Sequence, residues 1–304
     1  MDQIKKNIKK NKEQVLRFII QVVFFLTIPS AYTAAFNGVK SIITAMGAGE
    51  RVELTSFVMA LIGISLFTLV FGRFFCGFAC AFGSVSDWIY NLTSYLIKKT
   101  GGRRKTIPQS VMKYLSHLKY IVLAVSLVLC YTGVYAQLKG ISPWDVFSMV
   151  TAGNMRLAGY GVGIVLLLLI VCGITYQERF FCRCLCPMGA VFSLLPVLPV
   201  FALRRDRESC IGGCSACSRK CPMDIQLPPA EKSSDHDGAL ELAEEAESEW
   251  TLDHDRDCIQ CQKCISTCPK SNVHSGMGGL RGNELWWTLV RAVALLAVLK
   301  VLGL

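Results

Sequence analysis

At 304 residues, with 52% hydrophobic side chains and a mean hydropathy of +0.43, the chain carries more apolar surface than a soluble domain of its size buries. Its net charge of +10 is divided: residues 222–257 hold twelve acidic groups against Lys232 and Arg256, −10 in all, which leaves +20 on the rest. The basic residues flank apolar runs and read as topology signals rather than a nucleic-acid footprint, and thirteen of the fifteen cysteines sit in four short clusters, which sets aside a scattered disulfide framework.

Taken in chain order, Lys5, Lys6, Lys9, Lys10, Lys12 and Arg17 precede a mostly apolar run, Phe18 to Phe36. No cleavage site follows it, so the run reads as an uncleaved first membrane helix. Asn37 to Glu53 is a more polar connection, and Leu54 to Gly72 a second apolar run that leads into Arg73-Phe74-Phe75-Cys76-Gly77-Phe78-Ala79-Cys80. A basic connection, Lys98 to Lys105, contains the Gly101-Gly102 turn signal. Tyr120 to Leu138 is the third run. Tyr160 to Tyr176 is the fourth, and extended back to Leu157 it reaches the roughly 20 residues a helical crossing needs. It leads into Arg179-Phe180-Phe181-Cys182-Arg183-Cys184-Leu185-Cys186-Pro187.

The two Arg-Phe-Phe-Cys-x-x-x-Cys-x-x-Gly stretches lie 106 residues apart, Arg73 to Arg179, so this part of the chain reads as two copies of one unit. Each unit is a transmembrane hairpin whose second helix ends in a cysteine pair. Positive charge crowds the N-terminus, the 98–105 connection and the end of the fourth run, which places the N-terminus and both pairs on the cytoplasmic side. Two hairpins inserted the same way form a parallel repeat. Val191 to Leu203, broken by Pro196 and Pro199, is an interfacial connector. Leu285 to Leu304 is long enough for a fifth span, with Arg291 turned to the bundle interior and Lys300 snorkelling from its end.

The expected fold is therefore an α-helical membrane protein with four spans, or five with the C-terminal one, and a cytoplasmic ferredoxin domain. The expected divisions are 1–92 (first hairpin), 93–119 (basic connection), 120–203 (second hairpin and connector), 204–283 (ferredoxin domain with an acidic insertion) and 284–304 (C-terminal helix).

The soluble cysteines carry the most specific chemistry. Cys258-x-x-Cys261-x-x-Cys264-x-x-x-Cys268-Pro269 has the spacing of a bacterial ferredoxin, in which the fourth cysteine of each run ligates the neighbouring cluster. The second run is Cys210-x-x-x-Cys214-x-x-Cys217-x-x-x-Cys221-Pro222, one residue longer at Gly212-Gly213. Cross-ligation assigns Cys210, Cys214, Cys217 and Cys268 to one [4Fe–4S] cluster, and Cys258, Cys261, Cys264 and Cys221 to the other. Zinc also takes four cysteines, but runs ending x-x-x-Cys-Pro match zinc-knuckle spacing poorly. The acidic stretch Glu241 to Glu249 is a solvated insertion or a docking face for a basic redox partner. No haem is expected, since no apolar run holds a histidine and no Cys-x-x-Cys-His occurs.

The membrane cysteines are less local. Packing of the two hairpins about a common axis would bring Cys76, Cys80, Cys182 and Cys186 together. Four thiolates there need a cation or cluster to neutralise them, so a third redox or metal centre competes with a redox-active dithiol pair. Arg73, Arg179 and Arg183 could offset part of that charge or pair with lipid phosphate. Cys184 is an extra thiol outside the set, Cys130 and Cys172 read as small core residues, and His117 as an interfacial side chain or a quinol contact.

Together, Cys76-Gly77-Phe78-Ala79-Cys80, Cys182-Arg183-Cys184-Leu185-Cys186-Pro187 and the two ferredoxin runs resemble the polyferredoxin-type 4Fe–4S membrane proteins. That group includes the quinol-dehydrogenase subunit of periplasmic nitrate reductase systems (NapH-like), the C-terminal half of a nitrous-oxide reductase maturation protein (NosR-like) and a cytochrome oxidase assembly protein (CcoG-like). The likeness covers roughly residues 15–275. The family's pair motif ends in proline, which Pro187 matches and Ala81 does not. The resemblance implies a multi-pass protein of the cytoplasmic membrane that exchanges electrons between quinol, or another membrane-proximal donor, and a partner oxidoreductase. It would then be the electron-transfer subunit of a quinol dehydrogenase. The other implied role is redox-dependent assembly, metal reduction or sensing during maturation of another metalloenzyme.

Overall fold

The computed structural model describes residues 12–102, 104, 107–138, 140–154, 159–195, 201–206, 210, 214–225, 249–251, 257–277, 280–281 and 283–304. The first basic cluster up to Lys10, Pro196 and Pro199, Gly212-Gly213 and most of the acidic insertion lie outside these residues.

The first apolar run does not form one straight helix. It divides at Pro29 into α1 (Lys12–Thr27) and α2 (Ala31–Ala48), which meet at a bend of 60°. Proline removes an amide donor and crowds the preceding turn, so the helix ends before it and restarts after it. The connection expected from Asn37 is helical as far as Ala48, where Gly49 caps α2 in a left-handed conformation. α3 (Ser56–Phe71) returns alongside α2, capped by the Thr55 hydroxyl accepting from the Val58 amide. α3 is followed by the short α4 (Phe74–Phe78) and by α5 (Ala81–Lys99).

The second unit repeats this plan. α6 (Gln109–Leu115) leads into α7 (Leu118–Tyr131), then α8 (Pro143–Thr151), α9 (Gly161–Tyr176), the short α10 (Phe180–Cys184) and α11 (Pro187–Leu194). The offset of 106 residues that relates the motifs also takes α4 onto α10, and the start of α5 onto the start of α11. α1 lands on α7 in the same way, so the repeated unit contains a broken first member as well as the hairpin. Phe82 of one unit and Phe181 of the other stack at 4.1 Å between ring centroids, at the heart of a core that also holds Phe36, Phe75 and Phe192.

Among the described residues, Gln109–Tyr131 is long and apolar enough to cross a membrane by itself, and the bent pair α1–α2 is a second candidate. α3 and α9 are apolar all round but have 16 residues each, about 24 Å of helix against a hydrocarbon core of about 30 Å. Both carry outward apolar side chains; Leu66 on α3 and Leu168 and Leu169 on α9 are each about 60% exposed.

The rest of the chain forms a small sheet with two short helices. β1 (Ala202–Asp206) pairs antiparallel with β2 (Glu249–Thr251) on one side and with β3 (Val273–Met277) on the other, and β4 (Leu280–Arg281) completes the order β2-β1-β3-β4. The register sets Arg204 opposite Thr251 and Leu203 opposite Ser275. α12 (Ala216–Lys220) and α13 (Lys263–Thr267), one from each ferredoxin run, pack together beside the sheet. The C-terminal α14 (Glu284–Val301) turns away and packs against α1 and α3. Arg291 faces inward as expected: it is buried between the Phe74 and Phe201 rings, 4.6 and 4.0 Å from their centroids.

Candidate iron–sulfur centres

None of the fifteen cysteines takes part in a disulfide among the described residues. Eight of them line two adjacent cavities in the ferredoxin region. One is lined by Cys221, Cys258, Cys261 and Cys264; Cys217 lies at its border with the second. The second is lined by Cys210, Cys214, Cys217 and Cys268. Asn272 ties the ends of that set together: its backbone amide donates to Cys268 Sγ at 3.3 Å and its side-chain amide to Cys210 Sγ at 3.4 Å. Among the described residues no group of three or more His, Cys, Asp or Glu side chains is gathered closely enough for a single metal ion. Zinc would draw four sulfurs to about 2.3 Å from one point, and these more widely spread sets suit a multi-atom cluster better than one ion.

The loop between Cys258 and Cys264 is held in an unusual backbone. Gln260 and Gln262 both adopt left-handed conformations, φ 50° and 60°, which non-glycine residues seldom occupy. Their buried side chains hold that shape. Arg291 donates to Gln260 Oε1, Gln260 Nε2 donates to the Phe201 carbonyl at 3.3 Å, and Gln262 Nε2 donates to Thr288 Oγ1 at 2.6 Å. Sequence spacing picked out the cysteines and missed the glutamines, whose work depends on a helix that lies beyond the run.

In the two repeat units the cysteine pairs adopt matching geometry. Cys80 and Cys186 each precede a helix with extended backbone, φ −67° and ψ 116° against φ −74° and ψ 110°. Their amides donate to the Phe75 and Phe181 carbonyls, both at 2.9 Å. Ala81 in place of proline therefore leaves the turn intact, and Cys80 is buried rather than turned outward. Cys80, Cys182 and Cys186 are buried and Cys76 is half-buried, all within electrostatic reach of one another. Burial pushes the Cys80 and Cys182 thiols up and Cys186 up to about 12. A dithiol reagent relies on a depressed thiol pKa, a condition that this burial opposes. Cys184 turns away, its Sγ 3.4 Å from Met112 Sδ. Cys130 is buried as expected, whereas Cys172 is exposed on α9, a helix whose all-apolar sequence does not show which face turns inward.

The glycine of each motif makes room for the quartet's surroundings. A Cβ on Gly83 would lie 2.1 Å from an Arg179 guanidinium nitrogen, and one on Gly189 would crowd the Cys182 carbonyl at 3.2 Å. Arg179 is wholly buried and donates twice to Asp87, at 2.7 and 2.6 Å. It also donates to the Cys76 carbonyl at 2.7 Å and approaches Cys182 Sγ at 3.9 Å. Asp87 accepts from Arg17 and from Gln21 Nε2 as well, the latter at 2.9 Å. Burial would raise the Asp87 pKa, but the Arg17 and Arg179 guanidiniums hold it well below the usual carboxylate range. Asp87 was missed at the sequence level although it is the one acidic residue between Glu53 and Asp145, a signal that could have found it.

The two regions meet at the cysteines themselves. Cys76 packs against Met223, Ile225, Ile259 and Cys261, with Cys221 and Cys258 at the edge of the same cluster. Gly77 sits so close that a Cβ there would lie 2.2 Å from the Ile259 carbonyl oxygen. Gln14 Nε2 donates to the Cys261 carbonyl at 3.2 Å. Arg73 and Lys119 both pair with Asp257, at 2.8 and 2.7 Å, Arg183 with Asp224 at 3.1 Å, and Lys263 with Glu178. Arg73 and Arg183 thus bind the ferredoxin region, not lipid phosphate. His117 is exposed, and its ring hydrogen-bonds the Lys113 carbonyl at 2.9 Å.

A family described as a 4Fe-4S binding domain matches residues 54–100 and again 160–205, one match on each repeat. A 4Fe-4S dicluster domain matches residues 202–269. An uncharacterized protein of Methanocaldococcus jannaschii is 30% identical over 264 residues, covering 86% of this chain and 86% of its own. Protein NirI of Paracoccus denitrificans is 28% identical over 68% of this chain and 27% of its own length. The ferredoxin-type protein NapH of Escherichia coli is 25% identical over 74% of this chain and 69% of its own. No solved structure matches.

Proposed function

The chain belongs to the polyferredoxin-type 4Fe–4S family of iron–sulfur electron-transfer proteins, and on that basis we propose that it is a membrane-held relay with three cysteine sets in line. The order is the quartet Cys76, Cys80, Cys182 and Cys186, then Cys221, Cys258, Cys261 and Cys264, then Cys210, Cys214, Cys217 and Cys268. Clusters bound at these sets supply one-electron storage; the residues around them fix order, spacing and dielectric. The observation that carries the reading is the seat of Cys76 and Gly77 on the Ile259–Cys261 backbone, which leaves no water layer between the first set and the second. An electron entering at the membrane, from quinol or another membrane-proximal donor, would reach the Cys258 set, against which Cys76 packs, before the Cys210 set, and would pass from there to a partner oxidoreductase.

Anaerobically purified protein is expected to hold about eight irons in the two ferredoxin sets and further iron in the quartet. Cys268→Ser should remove the EPR signal of the Cys210 set and spare that of the Cys258 set. Selective loss of the Cys258 signal would refute the cross-ligation. Quinol should reduce the bound iron; reduction of an added metal ion with no response to quinol would favour the assembly role instead.

The membrane reading rests on the outward apolar faces of α3, α7 and α9, and its orientation on the positive charge of residues 98–105. Reporter fusions near residues 45 and 150 should be active outside, and fusions near 105 and 240 inside. An outside signal at 240 would reverse the ferredoxin region's side and the proposed electron path.

A further inference from the structure

Tyr32, the second residue of α2, is buried, with its ring set edge-on to Phe181 and tilted against Phe82, 6.2 and 6.0 Å between centroids. Those two rings stack on each other, so three aromatics from three helices hold the phenol in one orientation. Its hydroxyl has one hydrogen-bonding partner among the described residues, Cys186 Sγ, which as a thiol donates to it at 3.9 Å and as a ligating thiolate would accept from it instead. A buried phenol normally ends on a good acceptor. A neutral thiol is a weak one, whereas a thiolate is strong, so the placement is matched to a ligating Cys186. The same sulfur already accepts from the Gly189 amide at 3.1 Å. The repeat offset takes Tyr32 to Leu138, which has no donor to give Cys80. The tyrosine is therefore an addition to one side of a site that is otherwise built in duplicate.

We propose that Tyr32 sets the reduction potential of the quartet centre by donating its hydroxyl hydrogen to the Cys186 thiolate. This rests on the reading that the quartet binds a redox centre. A hydrogen bond to a ligand sulfur withdraws charge from it and favours the reduced, more negative state. In a pocket closed by Phe82, Phe181 and the buried Arg179, that donor is not diluted by water, and its effect is correspondingly large. Tyr32 acts through Cys186 and is a positioning residue, not a ligand.

Tyr32→Phe keeps the ring contacts and removes one O–H. Potentiometric EPR titration of the full-length, cluster-loaded variant should show the quartet centre shifted negative. Its ratio of reduced to oxidised form at a fixed potential should fall about tenfold, equivalent to 59 mV for one electron. The two ferredoxin signals and the iron content should not move. Site-specific 3-fluorotyrosine at position 32, a more acidic donor, should shift the same centre positive. A quartet potential unchanged in both variants would overturn the role of Tyr32 and leave the relay standing. Wild-type protein with no third signal, and with no more iron than the two ferredoxin sets hold, would overturn the relay reading itself.

Discussion

Asp87→Ala is expected to cost about 3–5 kcal/mol of stability, because it strands two buried guanidiniums, Arg17 and Arg179, without their shared counter-charge. Thermal or denaturant unfolding in detergent, with bound iron followed in parallel, measures it. Asp87→Asn should cost less, since the amide oxygen can still accept from one arginine. The acid response gives a second signature. The folded-state pKa of Asp87 lies below its unfolded value of about 4, so its stabilisation is present above that value and fades as pH falls below it. The wild type should lose this contribution in acid and Asp87→Asn should have none to lose. An alanine variant as stable as the wild type would show that the ion network is incidental.

Removing Cys76 and Cys182 together is expected to abolish reduction of the ferredoxin sets by quinol while dithionite still reduces them. One thiol is taken from each half of the quartet, and neither ferredoxin set is touched. The iron held by the ferredoxin sets should persist, because their eight cysteines and the ion pairs at Asp257 and Asp224 remain. If quinol still reduced them at the wild-type rate, the quartet would be structural only. A residual rate near one per cent of wild type or lower would agree with a lost intermediate.

What could be read in the sequence was what is local or repeated. The ferredoxin cysteines declare themselves because three ligands of each set fall within a few residues, and the paired motifs because the same stretch occurs twice. The matched geometry of Cys80 and Cys186 shows why the departure at Ala81 changes little: proline favours the extended residue before it, but the Phe75 and Phe181 carbonyls impose the same turn without its help. Pro29 was visible, yet its consequence was not, because an apolar run reads alike whether straight or bent. The contacts between Gly77 and Ile259 were out of reach for a different reason. They join segments more than 180 residues apart, and neither carries a pattern that names the other. Asp87 and Tyr32 belong to the same class, single residues whose meaning comes from what packs around them.

The seat of Gly77 beneath Ile259 also constrains the order in which the molecule can be made. The Cys76 motif leaves the ribosome long before Cys258 exists, so through most of synthesis the side of the quartet that meets the ferredoxin region stands open. It closes when the Ile259–Cys261 backbone comes down on Gly77 and α14 pins Gln260 and Gln262 from behind. A cofactor destined for the quartet therefore has its natural entry before the last fifty residues dock, and the docking step then seals it in. The C-terminal helix becomes a latch on maturation: a chain shortened ahead of Glu284 would keep every cysteine and lose the closure that commits them.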